Sequence, residues 1–173
     1  MTKVKKLLND SFAARWTALV LVALMMFFAY MFVDVLSPLS TLLETSKGWS
    51  AETYGTFCSS EYFLNVFAFF LIFAGIILDK MGIRFTGILS GAVMVIGASI
   101  KLYAISDIFT PDSGLYRFLD SFWTSFPASA KLASIGFMIF GCGVEMAGVT
   151  VSKAIAKWFK GKEMALAMGL EMD

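Results

Sequence analysis

The sequence predicts an all-α membrane protein, and three observations predict it. Of its 173 residues 58% are hydrophobic and only 16% charged, with a mean hydropathy of +0.77, too apolar for ordinary packing in water. The apolar residues gather into stretches close to the roughly 20 residues that a spanning helix needs. The charged residues fall in blocks between those stretches.

The first stretch runs from about Trp16 to Leu36 behind the basic residues Lys3, Lys5, Lys6 and Arg15. A secretory leader also starts basic, but its apolar core is shorter and ends at a small-residue cleavage site not found here, so a retained helix is expected. The second runs from about Tyr54 to Leu78, the third from about Phe85 to Ile105, and the fourth from about Leu132 to Ala156. A fifth begins near Met164, and Asp173 follows too soon for it to cross a bilayer at roughly 1.5 Å per residue. The expectation is therefore a longer protein of which residues 1–173 are the N-terminal part.

Basic residues accumulate on cytoplasmic loops. Here they precede the first helix, lie between the second and third (Lys80, Arg84), or surround the exit of the fourth (Lys153, Lys157, Lys160, Lys162). The other side holds Lys47 and Arg117, with Lys101 and Lys131 close enough to helix ends to snorkel outward. A cytoplasmic N-terminus follows. In the outer segment 106–130, Leu115, Phe118, Leu119, Phe122 and Trp123 recur at helical spacing while Asp112, Arg117 and Asp120 stay polar, which predicts a helix lying in the interface.

Composition also excludes. Histidine is absent, and Cys58 and Cys142 lie in apolar stretches without metal-ligand spacing. No catalytic constellation, metal site or cofactor is expected, and with a net charge of +1 there is no basic field for nucleic acid. The expected partners are the lipid bilayer and a small-molecule substrate.

An ionised side chain at the centre of a spanning helix costs about 2.5–3.5 kcal/mol on insertion scales, which makes an intramembrane acid a functional candidate. Glu145 lies near the middle of the fourth helix, and Gly141, Glu145, Gly148 and Ser152 form one small, polar stripe at helical spacing. Glu145 is suited to hold a substrate ammonium or a proton. Weaker stripes are Cys58, Glu61 and Asn65 on the second helix, and Tyr30, Asp34 and Ser37 on the first. On the third, Thr86, Ser90 and Ser99 with Gly87 and Gly91 predict a peripheral packing helix. Phe67, Phe69, Phe70 and Phe73 are expected to face lipid, and Glu171 and Asp173 are assigned no role.

The connection between the second and third helices carries Gly75, Asp79, Lys80, Gly82 and Arg84. It resembles the G-x-x-x-D-R-x-G-R-R pattern of the major facilitator superfamily, with Lys80 for the first arginine and Ile83 for the second. Gly75 is expected to admit a close helix, Gly82 to take the positive φ of a tight turn, and Asp79 to meet a helix N-terminus or a cation. The run from Ala156 through Trp158, Phe159, Gly161 and Glu163 to Gly169 and Leu170 is similar to that family's passage from helix four to helix five. Trp158 to Glu163, Phe140 to Glu145, and Asp34 with Leu36, Ser37 and Pro38 look most like the branch of lysosomal dipeptide carriers and their bacterial relatives.

The resemblance implies helices one to four and the start of helix five of a six-helix N-terminal bundle, in a carrier whose C-terminal half completes the cavity. It implies secondary-active or facilitative transport of a small solute by alternating access, dipeptides among the candidates, with the Gly75 to Arg84 cluster as a cytoplasmic gate. The position four residues before Gly141, usually arginine in the family, is Phe137, so proton symport is not implied. The rival expectation is a self-contained four-helix oligomer, either a compact multidrug exporter or a scaffold. With no N-glycosylation sequon in the outer loops and no acidic residue before Leu7 and Leu8, a bacterial inner membrane is the expected location.

Overall fold

The computed structural model describes residues 11–172; Lys3, Lys5, Lys6 and Asp173 lie outside the described residues, as does the side chain of Glu171. The described residues are all-helical, 82% helix, with no strand among them. Its helices are α1 (Phe12–Asp34), α2 (Ser40–Lys47), α3 (Ala51–Phe67), α4 (Phe70–Ile105), α5 (Gly114–Asp120), α6 (Ala128–Trp158) and α7 (Met164–Met172).

Polar residues set the starts. Ser11, Ser50 and Ser113 each accept a hydrogen bond from a backbone N–H three residues on, opening α1, α3 and α5. Pro38 starts a short 3₁₀ turn, Ser37–Leu39, that bridges α1 to α2 without a full stop. Three helical stretches, Phe12–Lys47, Phe70–Ile105 and Ala128–Trp158, have the length and hydropathy to cross a membrane, and they mark a membrane protein.

The second of these cannot be one straight rod. Its 36 residues correspond to roughly 54 Å of helix, against about 30 Å of hydrocarbon. The neighbours along α6 show what happens instead. Asp79, before Gly82, pairs with Lys153, near the C-terminal end of α6. After Gly82, a Cβ at Gly87 would touch Thr150, Gly143 faces Met94, Gly97 meets Phe140, and Gly136 meets Lys101, so rising numbers now match falling ones. The chain reverses at Gly82, whose φ of 82° and ψ of 168° are essentially restricted to glycine. Nothing crowds a Cβ there, so backbone conformation alone requires the glycine.

Residues 51–81 therefore run parallel to α6 and residues 83–105 antiparallel to it. The predicted second helix is interrupted: α3 ends at Phe67, Phe69 takes a left-handed φ of 51°, and α4 begins at Phe70. At 17 residues, α3 is at the lower limit for a spanning helix by itself. The predicted first, third and fourth helices stand, with α1 and α6 starting about four residues earlier than expected.

The core is the seam between α6 and 83–105. Its face on 83–105 is Thr86, Ser90, Met94, Gly97, Lys101 and Ala104, all buried and at helical spacing. A Cβ on Gly97 would collide with the Phe140 backbone nitrogen, and one on Gly136 would lie 2.8 Å from the Gly97 carbonyl oxygen. The backbones touch, as small residues allow between membrane helices. The packing role expected of Gly87 and Gly91 belongs to Gly97, for Gly87 only grazes Thr150 and Gly91 has no neighbour within 4 Å. Nor is this helix peripheral, since it is the main partner of α6.

α1 is held differently. At its N-terminal end the Trp16 ring meets Phe159 edge-on with centroids 5.5 Å apart, and Arg15 lies 5.2 Å from the Phe159 ring and 3.6 Å from the Glu163 carboxylate. Further along, a cavity of about 680 Å³ separates α1 from 83–105. The two ends of the bundle differ in charge. Arg15, Lys80, Arg84, Lys153, Lys157, Lys160 and Lys162 share the end of the Gly82 reversal, and Lys47, Arg117 and Lys131 lie towards the other. In 106–130, Leu115 and Phe118 of α5 and Phe122 and Trp123 just beyond it are exposed, and only Leu119 of the expected stripe is buried. Lys131 does not snorkel outward: it is buried and donates to the carbonyls of Leu119 and Phe122, pinning this segment to α6.

Candidate functional site

α3 and α6 lie side by side in register. Trp49 donates to Ser129 across 80 residues of sequence, Phe57 stacks on Phe137 at 4.8 Å, and a Cβ on Gly141 would collide with the Glu61 carbonyl oxygen. Gly141 is thus the space that Glu61 occupies. Continuing the register by one turn on each helix brings Asn65 opposite Glu145.

This seam gathers three of the residues picked out by the sequence. Glu61 is 5% exposed, with the Tyr62 hydroxyl beside it. Glu145 is half-buried and lies within electrostatic reach of Glu61. Asn65 has both side-chain polar atoms buried with no hydrogen-bond partner among the described residues. A buried amide without partners costs about 1–3 kcal/mol and calls for an explanation, such as a ligand or water that it normally meets. Of the small, polar stripe on α6, Gly141 and Gly148 turn inward, the latter near Met26, while Ser152 is exposed.

Tyr30 and Asp34 stand apart from this seam. Both are exposed on α1 and line a cleft of about 960 Å³ with Leu24, Phe27, Pro38 and Leu170. Asp34 nonetheless lies within electrostatic reach of Glu61, and Tyr30 of Tyr62, so the α1 pair faces the same charged centre from further off.

The residue that sequence reasoning missed is Lys101. Its position near the end of a helix suggested an outward-snorkelling charge, yet it is 4% exposed. Its ammonium lies 4.4 Å from the Phe137 ring centre and 5.2 Å from that of Phe140, and donates a 2.8 Å hydrogen bond to the Phe32 carbonyl of α1. A desolvated cation over aromatic faces gains about 2 kcal/mol or more. Glu61 is within electrostatic reach, although the two form no ion pair within 4 Å. Where the resemblance would place an arginine, this chain has Phe137, and the positive charge at that ring arrives from the neighbouring helix.

In the cluster at the chain reversal, Gly82 makes the turn and Asp79 meets a cation, Lys153, at 2.5 Å. The close helix expected at Gly75 is not found: nothing among the described residues lies within 4 Å of a Cβ there. Lys80 and Arg84 are exposed. Among the described residues no three His, Cys, Asp or Glu side chains gather as a metal site would require. No protein-family model, no curated protein and no solved structure matches this chain.

Proposed function

We propose that this chain carries out secondary transport of a small solute by alternating access, as the N-terminal part of a carrier of the major facilitator type. The supporting observation is the charged centre: buried Glu61 has both Lys101 and Glu145 within electrostatic reach, inside an apolar bundle. Membrane proteins retain such groups at a cost of several kcal/mol, and a path for a polar solute or ion accounts for them. The buried, unpartnered Asn65 amide and the half-buried Glu145 carboxylate are the groups of this centre with bonding capacity left for a ligand. Glu145 takes the substrate's cationic group or a proton, Glu61 and Asn65 line the same seam, and Tyr30 with Asp34 form the approach.

The arrangement of helices supports the family reading. One helix, a second that reverses at Gly82, a third, and a fourth leading through Trp158 and Gly161 into a fifth follow the order that the resemblance implies. The basic end around Gly82 then lies in the cytoplasm with the N-terminus, as positive-inside asymmetry requires, in a bacterial inner membrane. The other half of the same carrier closes the site, and the Asp79 to Lys153 pair steadies its cytoplasmic gate.

Transport by the product of the complete reading frame, reconstituted in liposomes, tests this reading. Glu145→Gln is expected to lower uptake of small organic solutes while expression holds. Uptake unchanged across a pH series would remove Glu145 from the site.

A further inference from the structure

The Lys101 ammonium has three donors, and among the described residues only one hydrogen bond uses them, that to the Phe32 carbonyl. Two aromatic faces take the rest of its surroundings. Its opposite charge, Glu61, is equally buried and yet stays outside ion-pair distance, across the Phe137 region of α6. The flexible four-carbon stem of a lysine lets its ammonium change partners, and Glu61 on α3 lies within electrostatic reach of it. The position against α1 is occupied here. The consequence falls on α1, because beside Lys101 a cavity of about 680 Å³ separates that helix from 83–105.

We propose that Lys101 is the positioning residue of this site: its ammonium exchanges between the Phe32 carbonyl and the Glu61 carboxylate, and thereby ties the charge at Glu61 to the C-terminal end of α1. When Glu61 is free and ionised, it draws Lys101 towards α3 and loosens α1. When a cationic group or a proton neutralises Glu61, Lys101 turns fully to Phe32 and draws α1 onto 83–105. The two events are linked reciprocally, as any shared two-state element requires. Its use in a transport cycle rests on the reading above, but the linkage itself does not.

Spin labels at Val35→Cys and Leu102→Cys, with Cys58 and Cys142 replaced by serine and alanine, report the distance between α1 and 83–105 across the cavity. Pulsed electron paramagnetic resonance on the reconstituted protein is expected to show a shorter, narrower distribution for Glu61→Gln. Lys101→Met is expected to lengthen and broaden it, and the double variant Glu61→Gln/Lys101→Met to match Lys101→Met alone. If Glu61→Gln leaves the distribution unchanged, or shifts it equally with and without Lys101, Lys101 is a fixed brace and the proposal falls. Glu61→Gln alone decides the matter if Lys101→Met does not fold. If the distance responds while no solute is transported, the linkage stands and the transport reading fails. An unresponsive distance in a protein that transports means the reverse: the linkage fails and the transport reading stands.

Discussion

α6 has one neighbour that it touches along its length and another that it holds at one end and midway. Against 83–105 the two backbones meet at Gly97, Gly136 and Gly143, with no space for a single added carbon at Gly97. Against α1 the contacts are the Phe159 ring with Trp16 and Arg15 at one end and Met26 beside Gly148 midway; further on, a cavity lies between α1 and 83–105, bridged by Lys101. Close packing transmits strain and has few alternatives, whereas sparse packing leaves a helix free to occupy more than one position. The α6 seam is the frame of this bundle, and α1 is the part able to move.

Substitutions test that contrast, and the largest effect belongs to the frame. Gly97→Leu is expected to prevent formation of a stable fold. Ordinary overpacking costs about 1–3 kcal/mol when side chains can yield, but the obstacle here is the backbone of Phe140. Size-exclusion profiles and thermal unfolding in detergent read this out; a native-like melting temperature would show that the seam gives way more easily than its geometry says. Phe159→Ala removes the fully buried ring that seats α1, for a loss near the lower end of the usual phenylalanine range, about 3 kcal/mol. Its mark is local: a cysteine placed at the buried Leu19 should react with a thiol reagent faster, while one at Met94 in the seam should not. Equal acceleration at both would mean that α1 and the frame loosen as one unit.

Gly82→Ala has no neighbour to collide with, so it isolates the backbone cost of the reversal, about 1–3 kcal/mol. Denaturant titration of folding in micelles measures it, and a change below a few tenths of a kcal/mol would mean that the turn adopts another conformation without loss. The smallest effect is expected from Asp79→Asn. Its partner Lys153 and Asp79 itself are both well exposed, and such pairs contribute about 0.2–1 kcal/mol. A clear loss of uptake with an unchanged melting temperature would then point to a role in switching rather than in stability.

Much of the frame was legible because hydropathy and charge blocks report directly on which segments leave water. The reversal at Gly82 was legible too, since Asp79, Lys80 and Arg84 around a glycine form a polar turn between apolar runs. The break at Phe69 was not: Val66, Phe67, Ala68 and Phe69 contain neither proline nor glycine, and nothing in the structure explains the left-handed Phe69. Glu61, Asn65 and Glu145 stand out as polar residues within apolar stretches, but their meeting depends on the α3 to α6 register, which no single helix contains. Lys101 was misread because distance from a helix end does not say which way a side chain turns. The available signal was its place at helical spacing in the row Ser90, Met94, Gly97 and Lys101, the face of 83–105 that meets α6.

The interruption at Phe69 has an effect on wetting. Where a helix stops inside a bilayer, the carbonyls at its end and the N–H groups of the next lose their partners, and hydrocarbon cannot replace them. Irregular backbone at that depth persists only beside protein or water, so the face carrying Phe67, Ala68 and Phe69 belongs against one of these rather than against lipid tails. If it is water, a hydrated notch opens one turn from Asn65 and, through it, close to Glu145.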